Sequence, residues 1–392
     1  MEKTHLKCAL VGCFPPGKGA LSEYSYHLAK GLAANGEVVT VLCDKVPLSP
    51  TEESPTNNVR VIRCWQVNSI ITPLIIWNNI RHIRPDVVYI NTHIGITFSK
   101  NIVINAVCLL VLPILLKVSR YCTVLLMHDF PEIVDISATT YKGKGYLIPF
   151  GHLLTKILLM ISSGTVVLSR NFVKVITDQY KHAKIGYIPH GVFELIDKVP
   201  IGERKIKRLL VFGKMSPSKD FHLVFEAWKE LRTAVSDLEL TIAGDVHPAT
   251  PEFQSVVNNM AEKANTQFIG AVPESQLGEL FTESTLVILP YRTTTGVSGC
   301  LHLACGYGIP PVLPSLPELI SITKELDVKA FYYQPGNAKD FVRVVTLALQ
   351  NKEQRYQIAE HNLEIAKKYH FGKTIECLLE FTRNVACVRD VS

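Results

Sequence analysis

The chain reads as an α/β protein of two doubly wound domains, and three observations lead there. Short apolar runs alternate with amphipathic stretches from end to end, as in parallel sheets covered by helices. The theme restarts at Arg208, after a polar stretch over 196–205 that contains Pro200 and reads as a linker. At 392 residues the chain also exceeds what one hydrophobic core normally holds. The expected division is 1–195, 196–368 and a last segment, 369–392.

The first half opens with an apolar strand over 6–12. A loop from Cys13 to Ala20 carries Gly17 and Gly19. A helix follows with Leu21, Tyr24, His27, Leu28 and Leu32 on one face, then a strand over 37–43. The loop lacks the glycine spacing of a dinucleotide fingerprint and the Gly-Lys-Ser/Thr of a P-loop. Its glycines still place backbone amides at the C-terminal edge of a strand, where open sheets bind ligands; a plain turn is the other reading. Further strands are expected over 59–63, 86–91, 123–127, 164–169 and 185–189. The third of these ends at His128-Asp129, the last at His190-Gly191.

In the second half a strand over 208–213 runs into the loop Lys214 to Lys219, then into an amphipathic helix from Phe221 to Leu231. Strands over 238–244 and 266–270 follow, then a helix to Glu283 with Ser275 as its expected cap. A buried strand over 285–289 stops at Pro290. The next loop is rich in small and hydroxyl residues and leads into an apolar helical segment, Cys300 to Cys305. Another strand starts at Pro311, Pro335-Gly-Asn337 makes a turn before a helix over 338–350, and 353–385 reads as helical throughout.

Charge is uneven. Residues 1–195 carry 19 Lys+Arg against 12 Asp+Glu, and 196–392 carry 22 against 23, so the halves are +7 and −1. The basic half suits an anionic partner, with a membrane surface as the candidate and no nucleic acid expected. The apolar segments 102–116 and 145–161 fall short of the ~20 residues of a membrane span and read as helices of the first domain. Lys117, Arg120, Lys142, Lys144 and Lys156 lie near them, so peripheral contact with an anionic membrane and plain burial both fit. Ten cysteines form no Cys-x-x-Cys pair, and several, such as Cys8, sit inside apolar strands. That is the usage of reduced cytoplasmic protein without a metal centre. The polar start leads straight into a strand, so no signal peptide is expected.

Three places carry candidate chemistry. Lys214 and Lys219 flank a loop at a strand end, where two cations suit a diphosphate; solvated surface lysines are the plain alternative. After Pro290, Ser298 can cap a helix while Gly296 and Gly299 let amides approach a ligand. The helix start favours phosphate, and an ordinary strand–helix connection reads equally well. His128 stands at a strand end that should face a ligand crevice, able to donate a hydrogen bond to substrate; His93 and His190 hold similar places. A Ser-His-Asp triad has no Gly-x-Ser-x-Gly elbow to support it.

Together these stretches resemble the GT-B glycosyltransferases of family 4, the group 1 retaining enzymes. Val211 to Asp220 is similar to the family's strand–Gly-Arg-x-x-x-x-Lys-Gly loop, with Lys214 and Lys219 at the cations that hold the donor pyrophosphate. Leu240 to Asp245 resembles its strand ending Gly-Asp/Glu, and Phe268 to Pro273 its Phe-x-Gly-x-Val/Ile-Pro segment, where Ile269 would meet the base. Ile188 to Val192 looks like its Pro-Asn-Gly-Val hinge, with His190 for Asn. Gly17 and Gly19 match its glycine-rich loop, and His128 the histidine that contacts the transferred sugar. The last helix looks like its crossing helix, which returns to the first domain. Thr295, Gly296, Val297, Ser298 and Gly299 would complete the donor site.

One departure stands out. The ending Leu301-His-Leu-Ala-Cys-Gly306 fits the family's Glu-Ala-x-Ala-Cys-Gly, which puts Leu301 and Thr293 at its two Glu-x7-Glu carboxylates. The resemblance implies two Rossmann-like domains facing a cleft. It implies retaining transfer from a nucleotide-sugar to a glycan, lipid-linked or small-molecule acceptor, with no cofactor and no metal. A non-catalytic nucleotide-sugar-binding subunit and a nucleotide-sugar epimerase are the alternatives. The implied location is cytoplasmic, with a peripheral place at the inner membrane face.

Overall fold

The computed structural model describes residues 5–17, 19–95, 97–130, 148–181, 183–200, 207–246, 250–264, 266–294 and 298–387. Among them the chain forms two compact units. One takes residues up to 130, 148–190 and 371–387; the other takes 191–370. The chain thus changes unit after His190 and after His370, against 195 and 368 read from the sequence.

The first unit holds strands β1 (Lys7–Val11), β2 (Val38–Asp44), β3 (Glu52–Thr56), β4 (Val59–Trp65), β5 (Val87–Thr92), β6 (Cys122–Met127), β7 (Gly164–Val167) and β8 (Ile185–Tyr187). Its helices are α1 (Ala20–Ala34), α2 (Thr72–Ile83), α3 (Ile102–Val118), α4 (Ile148–Ile161) and α5 (Arg170–Gln179). The strand order is β3-β4-β2-β1-β5-β6-β7-β8, parallel except between β3 and β4. Every residue of β5 and β6 is buried, because helices cover both sheet faces, and this produces their unbroken apolar runs. The sequence reading missed β3. Its Glu-Glu-Ser-Pro-Thr has no apolar pattern, and Pro55 is tolerated because the strand lies at the edge. Strand order reverses between β1 and β5, and open sheets bind ligands at the C-terminal ends beside such a point.

The second unit runs β9 (Lys207–Phe212), α6 (Phe221–Ala234), β10 (Leu238–Ala243), α7 (Phe253–Lys263), β11 (Gln267–Gly270), α8 (Glu274–Thr282), β12 (Leu286–Ile288), α9 (Gly299–Gly306), β13 (Pro311–Pro314), α10 (Pro317–Leu326), β14 (Phe331–Tyr333), α11 (Ala338–Gln350) and α12 (Lys352–Lys368). Its sheet is parallel throughout, in the order β11-β10-β9-β12-β13-β14, with the reversal between β9 and β12. Phe221, Trp228 and Phe341 belong to one apolar cluster, Phe281, Leu301 and Tyr307 to another.

Three expectations are corrected here. Ser275 does not cap α8: Pro273 stands at the cap, having no N–H to satisfy, and Ser275 falls inside the first turn. The last segment is not one helix. It breaks at Tyr369-His370, where the Tyr369 carbonyl accepts the Val192 amide at 2.9 Å and His370 pairs with Val192. The start of the supposed linker is part of the second unit, since the Ile196 amide donates to Gly306 at 3.1 Å; residues 201–206 lie outside the described ones.

After the break, α13 (Phe371–Cys387) returns to the first unit. Three glycines make room for it. A Cβ on Gly31 would lie 2.6 Å from Ile375 Cγ1, and Cβ atoms on Gly164 and Gly186 would lie 2.8 and 2.7 Å from the Phe381 ring.

Candidate functional site

In the second unit the loops after β9 and β12 meet at the reversal point. β9 runs into Gly213, with φ +103°, and the chain turns through Lys214 and Met215 to Lys219, whose amide donates to the Ser216 carbonyl at 3.0 Å. Asp220 then caps α6 by accepting the Leu223 amide at 3.2 Å. The neighbouring loop is laced to this turn. The Asp220 amide donates to Pro290 at 2.6 Å, the Arg292 amide to Ser218 at 2.7 Å, and Arg292 pairs with the Asp220 carboxylate at 2.9 Å.

Lys219 is the unusual group. Its side chain is buried, and its ammonium donates to the Phe212 carbonyl at 2.6 Å and lies 5.9 Å from the centre of the Tyr291 ring. Among the described residues no carboxylate pairs with it. Burial lowers its pKa from the ordinary lysine range. Among the described residues one carbonyl meets its three donors, an arrangement that can take an anion. Around it stand Tyr291, whose hydroxyl lies 2.9 Å from Ser298 Oγ, and Cys300. A Cβ on Gly213 would fall 3.1 Å from Lys219 Nζ and 2.4 Å from Cys300 Sγ, so glycine there lets both approach.

Ser298 caps α9, its hydroxyl accepting the Leu301 amide at 3.2 Å as the sequence reading expects. His302 Nδ1 donates to the Ser298 carbonyl at 2.9 Å, and burial keeps that ring neutral. Gly299 opens the helix. Thr295, Gly296 and Val297 lie outside the described residues. Lys214 is half-buried on the same turn as Lys219. Ile269, on edge strand β11, is exposed. Between them the backbone is drawn tight. Gly213 donates to Ala243 at 3.0 Å and Gly244 to Gly270 at 2.6 Å. At Leu301 the side chain is 1% exposed and belongs to the apolar core, so that position offers no polar group to a ligand.

In the first unit the loop after β1 is held from beneath. Gly17 donates to the Phe14 carbonyl at 3.0 Å, and a Cβ on Gly17 would press that oxygen at 2.8 Å. Gly19, with φ +135°, is the residue before α1 and Lys18 lies outside the described residues. Buried Arg63, inward on β4, donates to the Pro15 carbonyl and to Glu53 at 2.6 Å.

His128 is more constrained than the sequence suggests. Its Nε2 lies 2.7 Å from Asn91 Oδ1. Asn91 spends its amide hydrogens on the Leu21 carbonyl at 3.1 Å and on Ser25 Oγ at 2.9 Å, so its oxygen faces the ring and His128 Nε2 carries the proton. Tyr24 packs edge-on at 4.7 Å between centroids. Burial, with a smaller push from His93, drives the His128 pKa down to about 3. The ring is neutral and its one N–H is taken. The expected hydrogen-bond donor is therefore an acceptor, through Nδ1. Asn91, Tyr24, Arg63, Tyr291 and Cys300 escaped the sequence reading. An Asn inside the apolar run 86–91 was the one visible signal among them.

Residues 193–364 match the family model described as glycosyl transferases group 1. Over 172 residues the chain is 29% identical to the lipopolysaccharide 1,2-N-acetylglucosaminetransferase of Salmonella typhimurium, covering 42% of this chain and 44% of that protein. The match thus spans less than half the length of that relative. The sucrose-phosphate synthase of Thermosynechococcus elongatus superposes with a TM-score of 0.78 at 12% identity, covering 97% of this chain and 99% of that one. Anabaena HepE, solved with UDP and glucose, gives 0.69 at 13% identity over 97% and 100%. The fold is GT-B-like, two α/β units with parallel sheets, and the stretch 193–364 is similar to group 1 glycosyl transferases.

Proposed function

We propose that this protein is a retaining glycosyltransferase that moves a sugar from a nucleotide-sugar to a glycan, lipid-linked or small-molecule acceptor. The buried ammonium of Lys219, beside the capped start of α9 and without a carboxylate partner among the described residues, carries the reading. In it Lys219, Lys214 and the amides from Ser298 onward take the charge of the departing diphosphate. Ile269 lies along the base, and Gly17 and Gly19 bring amides of the first unit to the substrates. His128 accepts a hydroxyl of the transferred sugar through Nδ1. Fixed cations and amides make a metal unnecessary, and with no carboxylate pair on the loop a front-face displacement follows. One relative is named an N-acetylglucosaminetransferase and another was solved with UDP and glucose, so UDP-N-acetylglucosamine and UDP-glucose are the first donors to try.

Lys219→Met keeps the side chain's length and removes its charge. It should lower transfer at least 100-fold while the protein keeps its fold, a size typical of losing one group that stabilises developing charge. Unchanged transfer from every nucleotide-sugar tested would end the proposal. The second reading, a subunit that binds without turnover, draws on Leu301 and Thr293 at the places of the family's carboxylates. Release of nucleoside diphosphate only when acceptor is added separates the two, and the same assay in EDTA checks that no metal is needed.

A further inference from the structure

We propose that Asp220 and Arg292 are positioning residues of the diphosphate site. Their ion pair locks two loops of the second unit together, so that Lys219 and the start of α9 meet one ligand. This deepens the reading above and rests on it. Every group involved belongs to the second unit.

The loops after β9 and β12 touch as a single antiparallel bridge, Lys219 opposite Tyr291. Two backbone hydrogen bonds frame it. The Asp220 amide donates to the Pro290 carbonyl at 2.6 Å and the Arg292 amide to the Ser218 carbonyl at 2.7 Å. Side chains alternate across an extended pair. Lys219 and Tyr291 therefore share one face, with the ammonium 5.9 Å from the ring centre, and Asp220 and Arg292 share the other. A two-stranded contact this short is marginal by itself.

The ion pair adds a third tie. Arg292 Nη2 donates to Asp220 Oδ1 at 2.9 Å, and the same oxygen accepts the Leu223 amide at 3.2 Å as the cap of α6. One atom thus joins the first turn of α6, the Lys219 turn and the loop after β12. On the opposite face, Tyr291 places its hydroxyl 2.9 Å from Ser298 Oγ, the cap of α9. Lys219 belongs to the loop of β9, its ammonium fixed by the Phe212 carbonyl at 2.6 Å, and α9 follows β12. An anion held by both needs the two loops in register, and the pair sets that register.

Asp220 carries the wrong charge for an anion site. By Coulomb attraction alone, removing it should tighten diphosphate binding, and removing Arg292 should weaken it. A positioning pair reverses the sign at Asp220, so that both substitutions weaken binding. An ion pair with a half-exposed partner contributes little to overall stability, so the effect falls on the ligand and not on unfolding.

The test is calorimetric binding by the full chain of UDP, GDP, ADP, dTDP and inorganic pyrophosphate. Asp220→Asn removes the charge and keeps a good helix cap. Asp220→Asn and Arg292→Met should each weaken the tightest of these ligands about 10-fold, the lower end of the loss when a group orienting a metal ligand is removed. The double variant should bind no more weakly than either single one. Arg292→Lys keeps a cation for the one oxygen contacted and should bind better than Arg292→Met. Urea midpoints should stay near that of the unaltered protein. Binding that is unchanged or tighter in Asp220→Asn, or losses that add, overturns the proposal and leaves the glycosyltransferase reading standing. So does a weakening matched by a fall in urea midpoint, the mark of a structural role. An unaltered protein that binds none of these ligands overturns both, as does a Lys219→Met variant that binds them equally tightly.

Discussion

The Tyr89 hydroxyl donates to Thr382 Oγ1 at 2.9 Å, joining the middle of β5 to the last helix across 293 positions of sequence. The direction is set because Thr382 spends its own hydrogen on the Leu378 carbonyl at 2.8 Å. Both side chains are buried. Tyr89→Phe should cost about 1 kcal/mol in urea unfolding, and Thr382→Val about 1–3 kcal/mol because it strands a buried hydroxyl. The double variant should cost less than the sum. Additive losses would show that the contact carries no energy.

Gly244 offers a second test. Its φ is +134°, and a Cβ there would stand 2.1 Å from the Gly213 carbonyl oxygen. Gly244→Ala should destabilise the protein by about 2–4 kcal/mol, from backbone strain and overlap together, and weaken nucleotide-sugar binding in thermal shift. Gly270→Ala is the control. A Cβ there meets nothing within 4 Å, so only the φ of +68° is strained, a cost of about 1 kcal/mol. Equal losses at the two sites would contradict this account.

The buried histidines predict acid sensitivity. Burial lowers the pKa of His128 to about 3 and that of His27 to about 4, from an ordinary 6.5. As pH falls from 6.5 towards 4, the unfolded chain takes up these protons and the folded one does not. Stability is therefore complete above 6.5 and lost across that window, at up to about 1.4 kcal/mol per pH unit for each histidine. Urea midpoints from pH 8 to 4 should fall accordingly, and His27→Asn should flatten the curve. A flat wild-type curve would rule out the burial effect.

No helix among the described residues is long and apolar enough to cross a membrane. Helices α3 and α4 pack together and nevertheless expose Val103, Val118, Phe150, Leu153 and Met160, near Lys117 and Lys156. Lys142 and Lys144 lie outside the described residues. We expect the protein to sediment with vesicles rich in phosphatidylglycerol at low salt and to be released at high salt, with Phe150→Asp weakening binding. Failure to bind at low salt would remove the membrane from its list of partners.

What sequence could reveal follows from where the physics is local. Strands buried on both faces, such as β5 and β6, announce themselves as apolar runs, and the cap at Ser298 needs only the residues beside it. β3 was hidden because an exposed edge strand needs no apolar pattern. The helix break at Tyr369 was hidden because its cause, Val192, is distant in sequence. The site divides the same way. Lys219 was visible from its place after a strand, but its burial without a carboxylate partner among the described residues was not. His128 was visible too, but its occupied N–H depends on Asn91, and that of His93 on Asp129. Each depends on a neighbouring strand whose register a single sequence does not display.

The return of α13 has a consequence for how the protein is made. Among the described residues the second unit is a continuous stretch inserted into the first, and the first is closed by a helix that is translated after it. A nascent chain that has emerged only as far as His370 already contains all of the second unit. At that stage the first still lacks its partner for Gly31, Gly164, Gly186 and the Tyr89 hydroxyl. A stop codon near residue 370 would therefore spare the domain that matches the glycosyltransferases and leave the opposite one open, exposing apolar surface to chaperones and proteases.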